Sequence, residues 1–200
     1  GIAGSVSAVE YQSYEATSGP VKALVQGLTD LSNTIGLGEA AMSGENSNTY
    51  LDSQPPQAYE PAELRDTIRE DFLERNYLWT GALTASAYAP DCVFTDPTLS
   101  FKGVKTFERN LNNLSPAIDS LVNDPSIHLY SIELKEPSSQ IVAEWEMDGR
   151  LRLPWKPRIK LRGQTVYTYS KERAGRIVRY DESWAVSAGQ ALLQLLKPSE

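Results

Sequence analysis

The segment Tyr88–Pro97, YAPDCVFTDP, decides how the chain reads. It leaves a helical region, turns, and enters a short apolar run, CVFTDP, that stops on Asp-Pro. A residue before proline is held extended, so Asp96 ends a strand naturally. A carboxylate next to Val93 and Phe94 is either a cap on the following loop or a base beside apolar walls. The two roles are compatible if one oxygen caps and the other faces a cavity.

Before this segment, PAELRDTIREDFLERN places Leu64, Ile68, Phe72 and Leu73 on one stripe and predicts a long amphipathic helix. TGALTASAY predicts a second helix, with Leu83 and Ala87 inward. After it, TLSFKG reads as a loop. VKTFERNLNNLSPAIDSL then reads as a third helix with Phe107, Leu111 and Leu114 as its apolar row. The rest is strands: SIHLYSIELKE, QIVAEWEMDGRLRL, RIKLRGQTVYTYSKE and IVRYDESWAVS, closed by a helical tail, AGQALLQLLK. The expected architecture is an α+β cone, three helices packed on one face of a strongly curved, mostly antiparallel sheet.

Residues 1–62 differ in character from residues 63–200, the expected cone domain. They are rich in Gly, Ser, Ala and Asn and end in a linker carrying Pro55, Pro56 and Pro61. A short amphipathic helix, about residues 20–35, puts Val21, Leu24, Val25, Leu28 and Leu31 at helical spacing, as a docking face for the cone, a partner or a membrane surface. The chain begins with Gly1 and so reads as a processed or trimmed form.

Composition narrows the function. The net charge of −7 disfavours binding to phosphate backbones, so no nucleic-acid partner is expected. The one basic cluster, Arg150–Arg162, reads as the solvated face of a strand pair or as a local anion-docking patch. A single cysteine, Cys92, excludes an intrachain disulfide and fits a reducing compartment rather than secretion. With one histidine, His128, a structural zinc site is not expected, and no cofactor is either. No apolar run approaches the roughly 18–20 residues of a membrane helix.

The order helix, helix, YAPDCVFTDP, Gly, helix, then long strands ending in GRIVRYDESW resembles the nuclear transport factor 2-like superfamily over roughly residues 63–188. That superfamily includes ketosteroid isomerases, SnoaL-like polyketide cyclases and scytalone dehydratase. YAPDCVFTDPTLSFKG is most similar to a branch of plants and cyanobacteria, which implies the plastid stroma, with cytosol as the other option. The resemblance implies an apolar pocket at the mouth of the cone, a small hydrophobic ligand, and a homodimer through the sheet face.

By the ketosteroid isomerase pattern the general base falls on Asp96. The family's helical tyrosine, 24 residues earlier, falls on Phe72, which has no hydroxyl. The protonated aspartate, 17 residues before the Trp matched by Trp184, falls on Tyr167. Tyr167 is thus the remaining hydrogen-bond donor. Dehydratase chemistry wants a His–Asp pair, and alternation puts His128 opposite Ile127 and Leu129.

Among the aromatic residues Tyr77, Trp79, Tyr88, Trp145, Tyr167, Tyr169, Tyr180 and Trp184, most are expected in the core. Phe72, Tyr88, Phe94, Tyr169, Tyr180, Glu182 and Trp184 are the candidate pocket wall, with Glu182 a second carboxylate to test. Glu144 and Glu146 flank Trp145 on the opposite, wet side. Three functions remain open at this level: a non-catalytic auxiliary that binds a hydrophobic ligand, a partner or both; a cofactor-free isomerase or cyclase using Asp96 and Tyr167; and a structural dimer module.

Overall fold

The computed structural model describes residues 9–23, 25–26, 58–107 and 122–198. The first long helix, α1, is Pro61–Leu73. Pro61 suits its first turn, where an N–H would have no partner. Leu64, Ile68 and Phe72 are buried, as their spacing predicts. Leu73 is not: it is half exposed, one residue past the buried stripe.

The expected second helix is instead a single turn, α2, Tyr77–Thr80, held between two left-handed residues, Asn76 and Gly81. Gly81 closes it by donating its N–H to the Tyr77 carbonyl at 2.7 Å. The chain then runs irregularly to a 3-10 turn at Ala85–Ala87. Asp71 explains this course. It is buried on α1, where one carboxylate oxygen accepts the Thr84 N–H at 2.9 Å and the other accepts the Thr84 hydroxyl at 2.7 Å. Arg75 pairs with it at 2.9 Å. The 81–87 segment is therefore pinned to α1 and does not propagate a helix. Asp71→Ala will leave a buried N–H and a guanidinium without their acceptor and cost about 2–4 kcal/mol, read as a lower midpoint in urea with an unchanged slope.

Among the described residues six strands follow: β1 (Tyr88–Thr95), β2 (Ser100–Lys102), β3 (Val122–Lys135), β4 (Gln140–Leu151), β5 (Arg158–Ser170) and β6 (Arg176–Trp184). They form one sheet in the order β2-β1-β6-β5-β4-β3. Every neighbouring pair is antiparallel except β1 with β6. TLSFKG, expected as a loop, thus contributes the short edge strand β2. A last helix, α3, Ala188–Gln194, begins with a capping box between Ser187 and Gln190. Residues 104–107 are helical, while Leu111 and Leu114 lie outside the described residues.

Alternation divides the sheet into two faces. Leu161, Gly163, Thr165, Tyr167 and Tyr169 of β5 are buried, as are Ile141, Ala143 and Trp145 of β4. They meet Leu64, Ile68 and Phe72 of α1 in the core. The opposite face is a charge ladder: Arg158 pairs with Asp148, Lys160 with Glu146 and Arg162 with Glu144. Three of the six cations of the basic cluster, Arg158, Lys160 and Arg162, are thus neutralised across the β4–β5 hairpin, and such exposed pairs contribute little stability. The architecture is α+β, with α1 packed on one face of a six-stranded, mostly antiparallel sheet.

Part of the N-terminal region lies on this sheet. Gln12 and Trp184 exchange backbone hydrogen bonds of 2.6 and 3.0 Å, extending the sheet by one residue pair beyond the point where β1 ends. Residues 19–23 and 25–26 are helical, with Val21 and Val25 half-buried; Leu24, Leu28 and Leu31 lie outside the described residues.

Candidate functional site

Two irregularities aim side chains into one cavity. Between β5 and β6, Thr168 faces Arg179 but Tyr169 faces Ile177, so β6 carries one extra residue. Such a bulge flips the parity of the residues beyond it. Ile177 stays in the core, and Tyr180, Glu182 and Trp184 all turn inward after it. On β1, five positions from Tyr88 to Val93 match only two on β6, after which Phe94 and Asp96 face the same space.

The cavity measures about 270 Å³. Its wall is apolar, with Phe94, Phe101, Phe107, Leu99, Met147 and Leu161, and its polar groups gather around Asp96, Glu182, Tyr180 and Tyr77. Phe94 stacks on Phe107 at 4.5 Å and on Phe101 at 5.6 Å between ring centres, which makes one side of the wall a rigid aromatic layer.

Asp96 does cap its loop. One carboxylate oxygen accepts the Thr98 N–H at 2.6 Å, the Thr98 hydroxyl at 2.5 Å and the Leu99 N–H at 2.9 Å. Burial nevertheless raises its pKa, outweighing those bonds. Glu182 is pushed up to about 7, first by burial and then by the negative charge of Asp96. Against that, it accepts the Tyr180 hydroxyl and the Trp184 ring N–H, both at 2.5 Å.

Behind Glu182 runs a line of buried phenols. Tyr77 bonds Tyr180 at 3.2 Å and Tyr167 at 2.8 Å. Each phenol has one proton to give. With Glu182 ionised and acceptor-only, Tyr180 donates to it, Tyr77 donates to Tyr180, and Tyr167 donates to Tyr77. Protonation of Glu182 on the oxygen facing Tyr180 reverses the line and leaves the Tyr167 proton without an acceptor in it. The line therefore favours the anion and opposes burial, which favours the acid.

The structure thus brings Asp96, Phe94, Tyr180, Glu182 and Trp184 together on the wall. It separates the others. Phe72, Tyr88 and Tyr169 are buried in the core, away from the wall. Tyr167, expected as a donor to a ligand, is fully buried with its hydroxyl on Tyr77. Tyr77, whose ring lies edge-on to Phe72 at 4.9 Å, is on the cavity wall. Sequence reasoning placed Tyr77 only among core aromatics. A turn-forming Asn76 after α1 was the available signal for its direction.

His128 is exposed on β3, edge-on to Tyr130, so it forms no pair with Asp96. The Cys92 thiol is fully buried and raised to about 12 by burial, which leaves it unreactive as a nucleophile. Among the described residues no cluster of His, Cys, Asp and Glu could hold a metal ion, and no helix is long and apolar enough to cross a membrane.

The family described as "Uncharacterized conserved protein (DUF2358)" matches residues 62–180, from α1 through most of β6. The chain belongs to this family. No curated protein matches the chain. Among solved structures, one described as a SnoaL-like polyketide cyclase from Shewanella denitrificans is 14% identical and superposes with a TM-score of 0.48 over 68% of this chain and 96% of its own. An NTF2-like protein from Cytophaga hutchinsonii is 11% identical, with a TM-score of 0.43 over 60% of this chain and 96% of its own. A protein described as an isomerase, from Bacillus subtilis, is 18% identical, with a TM-score of 0.43 over 68% and 97%.

Proposed function

We propose that the protein binds a small hydrophobic molecule in the cone, with the polar part of that molecule at the Asp96–Glu182 end. The observation that carries this reading is the cavity itself: an aromatic and aliphatic wall with its polar groups converging on one region. At about 270 Å³ it falls just below the roughly 300–1,000 Å³ of drug-sized sites, so the occupant is small. Native mass spectrometry of protein purified from its source is expected to show a non-covalent adduct, lost when Leu161→Trp fills the cavity. A chain that stays empty, both from its source and after incubation with a panel of small hydrophobic compounds, would overturn the reading.

Proton transfer without a cofactor is the second reading, favoured by Glu182 with its pKa of about 7 beside Asp96. In it the two carboxylates exchange protons with the ligand and Tyr180 and Tyr77 are the hydrogen-bond donors, replacing Tyr167. Asp96→Asn and Glu182→Gln should each abolish turnover in a chain that stays folded. Retained turnover in both would remove it.

Three further features belong with the binding reading. The segment containing Val21, Leu24, Val25, Leu28 and Leu31 docks on a protein partner. The sheet face forms a homodimer. The protein works in the plastid stroma, as the resemblance to a plant and cyanobacterial branch suggests. Deletion of residues 1–45, sedimentation and a fluorescent fusion test these in turn.

A further inference from the structure

The cavity has an unusual balance of charge. Six aromatic rings stand on its wall, from Tyr77, Phe94, Phe101, Phe107, Tyr180 and Trp184, together with two carboxylates. None of its described lining residues is Lys, Arg or His. Elsewhere several acidic residues are matched: Glu144, Glu146 and Asp148 each have a cationic partner on β5. Asp71 has Arg75, and Asp91 has Arg173 and Lys102. The pair in the cavity has only neutral donors.

We infer that the ligand is a small organic cation, an alkylated amine or quaternary ammonium, held by the aromatic wall and by the Asp96–Glu182 pair. This rests on the binding reading above and names its ligand class. The negative faces of aromatic rings attract a cation, and more strongly in a desolvated site. Methyl groups on nitrogen match the apolar wall, while the spread charge needs no directed hydrogen bond. That fits Glu182, whose two oxygens already accept from Tyr180 and Trp184, and Asp96, one of whose oxygens is taken by Thr98 and Leu99 while the other supplies charge. A neutral hydrophobic ligand would leave the two carboxylates uncompensated. An anion would add a third negative charge.

The charge also sets how binding responds to pH. A permanent cation binds best when Glu182 is ionised, so affinity rises as the pH passes through the region of its titration and levels off above it. Among the described residues, the titratable groups facing Glu182 are Asp96 from the end of β1 and the phenols of Tyr77, Tyr167 and Tyr180; all are neutral or negative.

Choline and its carbon isostere 3,3-dimethyl-1-butanol have the same shape and differ in charge. Calorimetric titration of the full chain with each, at pH 5.5 and pH 8.0, tests the inference. Choline is expected to bind at least tenfold more tightly than the isostere at pH 8.0, and about tenfold more weakly at pH 5.5 than at pH 8.0. Glu182→Gln should remove most of the preference and the pH dependence, and its melting curve shows whether it is folded. Equal or tighter binding of the isostere would overturn the inference and leave the binding reading standing. Failure of both compounds, together with an empty chain in the mass-spectrometry test, would overturn both.

Discussion

Gly163→Ala is expected to be the most disruptive single-methyl change in the sheet. Gly163 sits on β5 directly opposite Trp145 of β4. The indole of Trp145 lies flat over it, so a Cβ at this position would come 2.4–2.9 Å from three of the ring carbons. Carbon atoms do not approach that closely, and Trp145 has no room to yield. It is completely buried, and its ring N–H is fixed to the Thr165 hydroxyl at 2.9 Å. Either the ring swings away, giving up that bond and its packing, or β4 and β5 part locally. Overpacking of this kind costs about 1–3 kcal/mol, and the lost buried hydrogen bond adds about 1 more. Against a typical domain stability of about 5–15 kcal/mol, a loss of about 3 kcal/mol lowers the melting temperature by roughly 10 °C. Chemical denaturation of Gly163→Ala beside Gly163→Ser checks the size. A loss below about 1 kcal/mol in both would show that the ring can move.

How much of this was legible in the sequence varies by element. The long strands were, because RIKLRGQTVYTYSKE alternates strictly and the sheet uses that alternation for its two faces. The single turn of α2 was not. Apolar periodicity says nothing about a backbone that passes through the left-handed region at Asn76 and Gly81, or about a buried carboxylate on α1 that captures Thr84. The start of β1 was also hidden, since Pro90 reads as a turn. It is tolerated because it sits where the β1–β6 register is interrupted and no ladder N–H is required of it.

The site shows the same division. Phe94, Asp96, Tyr180, Glu182 and Trp184 were readable as residues of one parity near strand ends. Tyr167 and Tyr169 share the inward face of β5 but lie elsewhere along it, and parity gives the face of a strand without the depth. Tyr77 was missed because counting back 24 residues from Asp96 lands on Phe72 within α1, whereas Tyr77 belongs to the separate turn α2.

Glu182→Gln should stabilise the protein at pH 8 and do nothing at pH 4.5, the reverse of what removing a buried, hydrogen-bonded charge commonly does. The carboxyl titrates near 7 in the folded chain against an ordinary value of 4.5. The folded state therefore binds more protons than the unfolded state between those values, and stability falls as pH rises across that window. At 1.36 kcal/mol per pKa unit, the ionised form costs the fold up to about 3 kcal/mol above pH 7, less what partial exposure screens away. Glutamine carries no charge to desolvate. Its carbonyl oxygen can still accept from Trp184, and its amide can donate to Tyr180, turning the line of phenols around. The expected gain at pH 8 is about 1–2 kcal/mol, the difference being taken by the Tyr167 proton that the reversed line leaves unmatched. Urea titrations of both proteins at pH 4.5, 6 and 8 measure it directly. A variant less stable than wild type at pH 8 would mean that Tyr180 and Trp184 compensate the anion fully. A gain that grows with pH would identify Glu182 as a group held against the stability of the fold, the condition in which a bound cation restores what folding gives up.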